Sequence, residues 1–274
     1  MPRRARLDAE LVRRGLARSR QQAAELIADG RVLVRGSAAT KPATAVEIDA
    51  PVLVREVPGP EWASRGALKL VGALDAFEPA GLAVAGRRCL DAGASTGGFT
   101  DVLLQRGAAA VVAADVGYGQ LVWRLRTDER VHVLDRTNVR ALTPEAIDGP
   151  VQLTVADLSF ISLRTVLPAL TACTAPDGDL VPMVKPQFEV GRQRLGSGGV
   201  VREPELRLAA LREVATAAVV HGWAVRGAVA SPAPGPAGNV EYFVWFRRAA
   251  EAGDTEDQHN VEAMLEQAVR EGPQ

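Results

Sequence analysis

Apolar positions along this chain recur at two different periods, and the change from one to the other divides it. Leu7, Leu11 and Val12 keep helical spacing up to Gly15, and Ala23, Leu26 and Ile27 repeat it up to Gly30. Ser19 with Gln22 three residues on is a capping-box pattern, in which each side chain satisfies the other's exposed amide. Gly30 suits the left-handed residue that ends a helix. Val32 and Val34 then alternate with Arg31 and Arg35 as a short strand. The opening segment is therefore predicted to be two short helices and a hairpin.

Residues 51–66 read as a connector, punctuated by Pro51, Pro58, Gly59 and Pro60, with Trp62 and Arg65 before a helical run from Ala67 to Phe77. From Arg87 the pattern alternates between elements. Strands are expected at 87–92, 109–115, 131–135, 151–157, 179–185, 223–230 and 240–247. Helices are expected near 97–106, 119–127, 162–173 and 204–221. That alternation predicts an α/β fold with a seven-stranded, mostly parallel sheet covered by helices, preceded by a small α+β domain. Only Pro232 to Gly238 separates the last two strands, so they should pair antiparallel. The expected organisation is a first domain at 1–60, a linker at 61–66, the α/β domain at 67–248 and an acidic, mobile tail at 249–274, with a short helix near 260–271.

Charge sharpens this division. The net charge of −1 hides a head at residues 1–41 with ten basic residues against four acids, net +6. Residues 249–274 carry seven acids against Arg270, net −6. A basic head on a near-neutral body points to a polyanionic partner addressed by the head. No apolar run is long enough to span a bilayer, and Leu7 to Gly15 is too mixed for a signal region. A cytoplasmic protein without membrane contact is expected. The two cysteines, Cys89 and Cys173, sit in apolar runs and read as buried thiols.

The sharpest motif is Cys89-Leu-Asp91-Ala-Gly93-Ala94-Ser95-Thr96-Gly97-Gly98-Phe99, which follows a strand and opens a helix. A dinucleotide fingerprint needs its second glycine where Ser95 stands, and no Gly-Lys-Ser/Thr ending marks a phosphate loop. The run is similar to the Asp-x-Gly-x-x-x-Gly-Gly-Phe loop of class I methyltransferases. That resemblance implies S-adenosylmethionine as cofactor, with the methionine part near Asp91 and Gly93 to Phe99, and Asp115 at the next strand end on the ribose hydroxyls. Asp157, closing the fourth strand, belongs to the same cofactor rim.

Four charged residues stand at the ends of apolar elements: Lys69, Asp157, Lys185 and Glu241. Asp157 and Lys185 close neighbouring strands, the edge at which α/β proteins place their sites. The Asn-Pro-Pro-aromatic turn of amine-methylating enzymes is absent, and Cys173 has no activating base beside it. The Lys-Asp-Lys-Glu order resembles the catalytic tetrad of the RrmJ/FtsJ family of ribose 2′-O-methyltransferases. A lysine serves as base only where burial and a neighbouring cation favour its neutral form. Lys185 is the candidate base, Lys69 the neighbouring cation that orients the hydroxyl, and Asp157 and Glu241 the carboxylates that fix both ammonium groups. No metal is implied.

Residues Arg6 to Ala23 and Ile27 to Gly36 resemble the RNA-binding module first described in the fourth protein of the small ribosomal subunit. Arg4, Arg6, Arg14, Arg18, Arg20 and Lys41, with Arg65 from the connector, are its candidate RNA contacts. The chain from Arg3 to Arg247, including Ala156-Asp-Leu-Ser-Phe-Ile-Ser and Val184-Lys-Pro-Gln-Phe-Glu-Val-Gly, is similar to the TlyA family. The resemblance implies cytidine 2′-O-methylation of 16S and/or 23S ribosomal RNA in assembled subunits, with consequences for capreomycin-type antibiotics. It names no obligate protein partner. The competing expectation is a non-catalytic RNA-binding or ribosome-assembly factor on a methyltransferase fold, which cofactor affinity discriminates. Membrane damage is a third, disfavoured by the absence of an apolar span.

Overall fold

The computed structural model describes residues 4–17, 20–28, 30–55, 62–235, 237–249 and 258–273. They form two compact units, residues 1–61 and 62–274.

In the first unit, α1 (Leu7–Arg13) and α2 (Arg20–Ala28) turn Leu7, Leu11, Ala23 and Ile27 onto one small core with Val32. β2 (Val32–Val34) pairs antiparallel with β3 (Ser37–Ala38) as the expected hairpin, and on its other side with β5 (Val52–Val54). β1 (Arg4–Arg6) pairs with β4 (Ala45–Glu47), a contact the sequence did not announce because each strand is only three residues long. Gly15 and Gly30 both take the left-handed conformation after their helices. The capping box at Ser19 lies outside the described residues. Buried Asp8 and Glu10, in the first turn of α1, gather the arginines around them.

The second unit holds the seven-stranded sheet. Its parallel part runs β10 (Thr174–Val184), β9 (Val151–Ala156), β6 (Arg88–Ala92), β7 (Ala110–Ala114) and β8 (Val131–Leu134). β12 (Tyr242–Arg248) pairs antiparallel with β10, and β11 (Trp223–Ala230) antiparallel with β12. Alternate strand residues feed two cores. Cys89, Val111, Val181, Met183, Phe243 and Trp245 face α3 (Gly66–Phe77) and α4 (Gly98–Gln105). Leu90, Val112, Leu180, Val184, Tyr242 and Phe246 face α6 (Leu163–Cys173) and α8 (Pro204–Val220). At the far end of the sheet from the site, fully buried Asp179 accepts from Trp245 Nε1 at 2.6 Å and Arg247 Nε at 2.9 Å.

Three expectations change. The helix read at 119–127 shrinks to α5 (Trp123–Arg126), since Gly119 is left-handed and Val122 extended. β10 starts five residues early, with its register against β9 shifting between Thr174 and Asp179. The acidic tail ends in α9 (Gln258–Glu271), which buries Leu265, Ala268 and Val269 in the same core as α6 and α8. The connector likewise joins this unit from Trp62 onward, Ala63 N donating to Asp101 Oδ2 at 2.8 Å.

Truncating Leu265, 1% exposed, to alanine leaves a cavity in that core and should lower unfolding free energy by about 2–5 kcal/mol. Urea denaturation checks this, and a loss below about 0.5 kcal/mol, typical of a surface change, would show that α9 is not core.

Candidate active site

The parallel strands end together, and their register brings the site residues side by side. Ala92 pairs with Ala156, Ala156 with Pro182, and Val184 with Tyr242. Asp157, Lys185 and Glu241 are the residues just past Ala156, just past Val184 and just before Tyr242, so three neighbouring strands deliver them to one edge. Asp157 N donates to Ala92 O at 3.0 Å, which seats it beside the glycine loop.

Two buried ion pairs follow. Lys185 Nζ lies 2.6 Å from Asp157 Oδ1 as an ion pair and donates to Ser159 Oγ at 3.0 Å. Lys69, from α3, donates to Glu241 Oε2 at 2.5 Å. Lys69, Lys185 and Glu241 are all buried, and Asp157 is partly open. The four predicted residues thus assemble as a Lys–Asp pair and a Lys–Glu pair.

The glycine loop is shaped by its own neighbours. Gly93 has φ +91°, and a Cβ there would stand 2.5 Å from the Asp157 carbonyl oxygen. At Gly98 a Cβ would press 2.9 Å from Ala67 N, where α3 begins. Ser95 N and Gly117 N donate to the two oxygens of Asp115, at 2.9 and 2.6 Å, tying the loop to the end of β7. Thr96 O accepts from Val122 N at 3.2 Å, and Gly97 is left-handed. Ala94 is buried, and Phe99 packs in the core 5.8 Å from Phe243, so Phe99 supports the loop from below and does not face the cleft.

Asp91 is fully buried and accepts from Thr100 Oγ1 at 2.7 Å through Oδ2, while its Oδ1 meets no donor among the described residues. Burial pushes its carboxyl up to about 7, against the opposing pull of the Thr100 hydrogen bonds. An acceptor stranded in this way at a strand end fits a cationic ligand group. Burial also pushes the Cys89 thiol up to about 12 and Cys173 to about 11, and both are free and buried. Neither can supply a thiolate nucleophile.

Sequence reasoning assigned no role to four residues of the site. Ser159, Phe160, Gln187 and Phe188 line a cleft of about 570 Å³ together with Lys185 and Glu241. Phe160 is left-handed, at φ +64°, and 92% exposed, its ring 5.4 Å from that of Phe188. A bulky residue held in that conformation is an outlier of the kind found at working sites. Lys185 Nζ stands 6.0 Å from the Phe188 ring centre. Each of the four follows Asp157 or Lys185 within three residues, and that adjacency was the available signal.

The candidate RNA contacts divide. Arg6 makes a two-point contact with Asp8 at 3.1 and 2.9 Å, and Arg20 reaches the same carboxylate at 3.0 Å, both leaving much of their length exposed. Arg4 and Lys41 are exposed, as is Arg65 in the second unit. Arg14 differs from expectation: its guanidinium bonds Glu10, Ile48 O and Ala50 O and clamps the first unit from inside. Arg18 lies outside the described residues.

Comparison with known proteins agrees with this geometry. The FtsJ-like methyltransferase family model matches residues 62–248, and the S4 domain model residues 5–52. The chain is 62% identical over 277 residues, covering all of both chains, to the 16S/23S rRNA (cytidine-2′-O)-methyltransferase TlyA of Mycobacterium tuberculosis. It is 35% identical to Hemolysin A of Brachyspira hyodysenteriae, over 88% of this chain and 99% of that one. A solved structure of a hemolysin-named protein from Streptococcus thermophilus superimposes with a TM-score of 0.75 at 36% identity, covering 99% of this chain and 97% of the other. Two carboxylate–ammonium pairs on the rim of a methyltransferase sheet, with an S4 domain earlier in the same chain, place this protein in the TlyA family of FtsJ-like methyltransferases.

Proposed function

We propose that the chain transfers a methyl group from S-adenosylmethionine to the ribose 2′-hydroxyl of cytidine in 16S and/or 23S ribosomal RNA, within assembled subunits. The observation that carries this reading is the meeting of the Lys185–Asp157 and Lys69–Glu241 pairs at the strand edge that also carries the glycine loop. The cofactor, when bound, supplies a methyl group on a sulfonium sulfur, already activated for transfer.

The chain's own residues do the rest. Asp91 Oδ1, lacking a donor, receives the ammonium of the methionine part, while Asp115 and the backbone from Gly93 to Gly98 line the remainder of the cofactor site. Asp157 lies at the junction of that loop with the tetrad. Phe160 and Phe188 offer aromatic faces on which a pyrimidine lifted out of its helix can stack, leaving its ribose near Lys185. Lys185, once its ammonium has released a proton to solvent, takes the hydroxyl proton as the oxygen gains the methyl group, and Asp157 and Ser159 hold the amine on line. Lys69 and Glu241, held together as a pair, keep the hydroxyl in place, which supplies acceleration through orientation.

Arg4, Arg6, Arg20 and Lys41 of the S4 domain are assigned to ribosomal RNA phosphates, with Arg65 contributing from the catalytic unit; Arg14 is reassigned to structure. Among the described residues no helix is long and apolar enough to cross a membrane, so the hemolysin names of two relatives are not carried over.

Two predictions follow from these roles. Lys185→Ala should lower methyl transfer to ribosomal subunits by about 10²- to 10⁴-fold, the usual worth of a general base, with cofactor affinity by calorimetry within a few-fold of wild type. Full transfer by a folded variant would remove Lys185 from the mechanism. Removing residues 1–61 should abolish modification of subunits yet spare cofactor binding, and undiminished modification would sink the role given to the S4 domain.

A third prediction concerns pH. Asp91 is raised from 3.8 to about 7 in the folded state. Between those values the native protein holds a proton that the unfolded chain has lost, so stability declines as pH rises through that window. Asp91→Asn should therefore gain melting temperature over wild type at pH 8, with the gap shrinking toward pH 4, while losing cofactor affinity. A difference independent of pH would contradict the burial of a titrating carboxyl there.

A further inference from the structure

The cleft contains a polar group that the proposed reaction leaves unused. Gln187 stands two residues past Lys185, on the short helical turn Pro186–Glu189. Its Nε2 donates to Glu241 Oε1 at 3.4 Å. Its Oε1 is closed off from solvent and meets no donor among the described residues. A buried acceptor left without a donor carries a free-energy penalty, which a ligand bringing a donor recovers.

The direction of this amide is fixed by its surroundings. Turning it over would set Oε1 against the Glu241 carboxylate, acceptor facing acceptor. Glu241 cannot yield readily, because Lys69 grips its other oxygen at 2.5 Å. The loop also runs close to Oε1, where a Cβ added at Gly235 would stand only 2.6 Å from it. Glu241 therefore leaves the Gln187 oxygen one role, that of an acceptor.

The same cleft is lined by the Phe160–Phe188 aromatic pair and by Lys185. Pyrimidines differ at the exocyclic position of ring carbon 4: cytosine carries an amino donor there, uracil a carbonyl acceptor. We propose that Gln187 is a specificity-determining residue, its amide oxygen accepting from the 4-amino group of the target cytosine and opposing the carbonyl of uracil. The inference rests on the cytidine 2′-O-methyltransferase reading and adds a means by which the base is chosen. Sites built to hydrogen-bond a polar group discriminate by leaving that group unpaired when the wrong substrate enters.

The test compares full-length wild type with Gln187→Leu and Gln187→Met, which keep much of the side-chain volume but lack the amide oxygen. Substrates are ribosomal subunits carrying either cytidine or a cytidine-to-uridine change at the modified position, with methyl transfer followed from labelled S-adenosylmethionine. Wild type should favour cytidine by roughly ten- to a hundred-fold in kcat/KM, in line with one polar group paired or left unpaired. In both variants that preference should fall to about two-fold or less, with cofactor affinity by calorimetry retained. Equal losses on both substrates, with the wild-type preference intact in either folded variant, would overturn the proposal and leave Gln187 as a support for Glu241. A wild type indifferent to the base would overturn it as well. Failure of wild type to methylate any ribosomal RNA would instead remove the functional reading beneath it.

Discussion

Charge buried in pairs is the constraint around which this molecule is organised. Lys69–Glu241 and Lys185–Asp157 sit at the rim of a sheet whose two faces are packed with apolar side chains. Taking such groups out of water is costly, and breaking a buried pair costs more than the pair contributes, since the survivor stays uncompensated. A pair kept there is weak evidence for stability alone. Two pairs delivered by α3 and three neighbouring strands to one cleft are an arrangement that chemistry explains and packing does not.

The same edge shows how the cofactor loop and the reacting groups are kept in register. Asp157 touches both: its backbone N–H bonds Ala92 O beside the loop, its carbonyl leaves no room for a side chain at Gly93, and its carboxylate faces Lys185. Asp115 does similar work on the other side, holding Ser95 and Gly117 through one carboxylate. A displacement of β9 relative to β6 would therefore disturb cofactor site and base together. Preorganisation of this kind supplies rate by removing the need for groups to search for their geometry.

Much of this was legible in the amino-acid order. Apolar runs bounded by turn residues placed the parallel strands to within a residue or two, apart from the early start of β10, because a strand buried on both faces has few other sequences open to it. Asp157, Lys185 and Glu241 were readable as charged residues at the ends of apolar strands, and the tetrad, with Lys69 from the preceding helix, through its resemblance to the RrmJ/FtsJ family. Other features were hidden for physical reasons. The stripe Leu265, Ala268 and Val269 is diluted by the acids that surround it, so the helix expected near 260–271 gave no sign that it packs into the core. Arg14 looked like a phosphate ligand because its partners, the carbonyls of Ile48 and Ala50, lie 34 and 36 residues away. Phe160 carries no sequence mark of its left-handed backbone, and the orphaned oxygen of Gln187 exists only once Glu241 has been placed.

The proposed acceptor of the methyl group is a sugar oxygen on cytidine. Ribosomal subunits incubated with the full-length chain and isotope-labelled S-adenosylmethionine, then digested to nucleosides and analysed by mass spectrometry, report on it directly. Label is expected in 2′-O-methylcytidine, the extra mass staying with the ribose on fragmentation. Label retained on a base, or no label in RNA from a cofactor-binding protein, would contradict it.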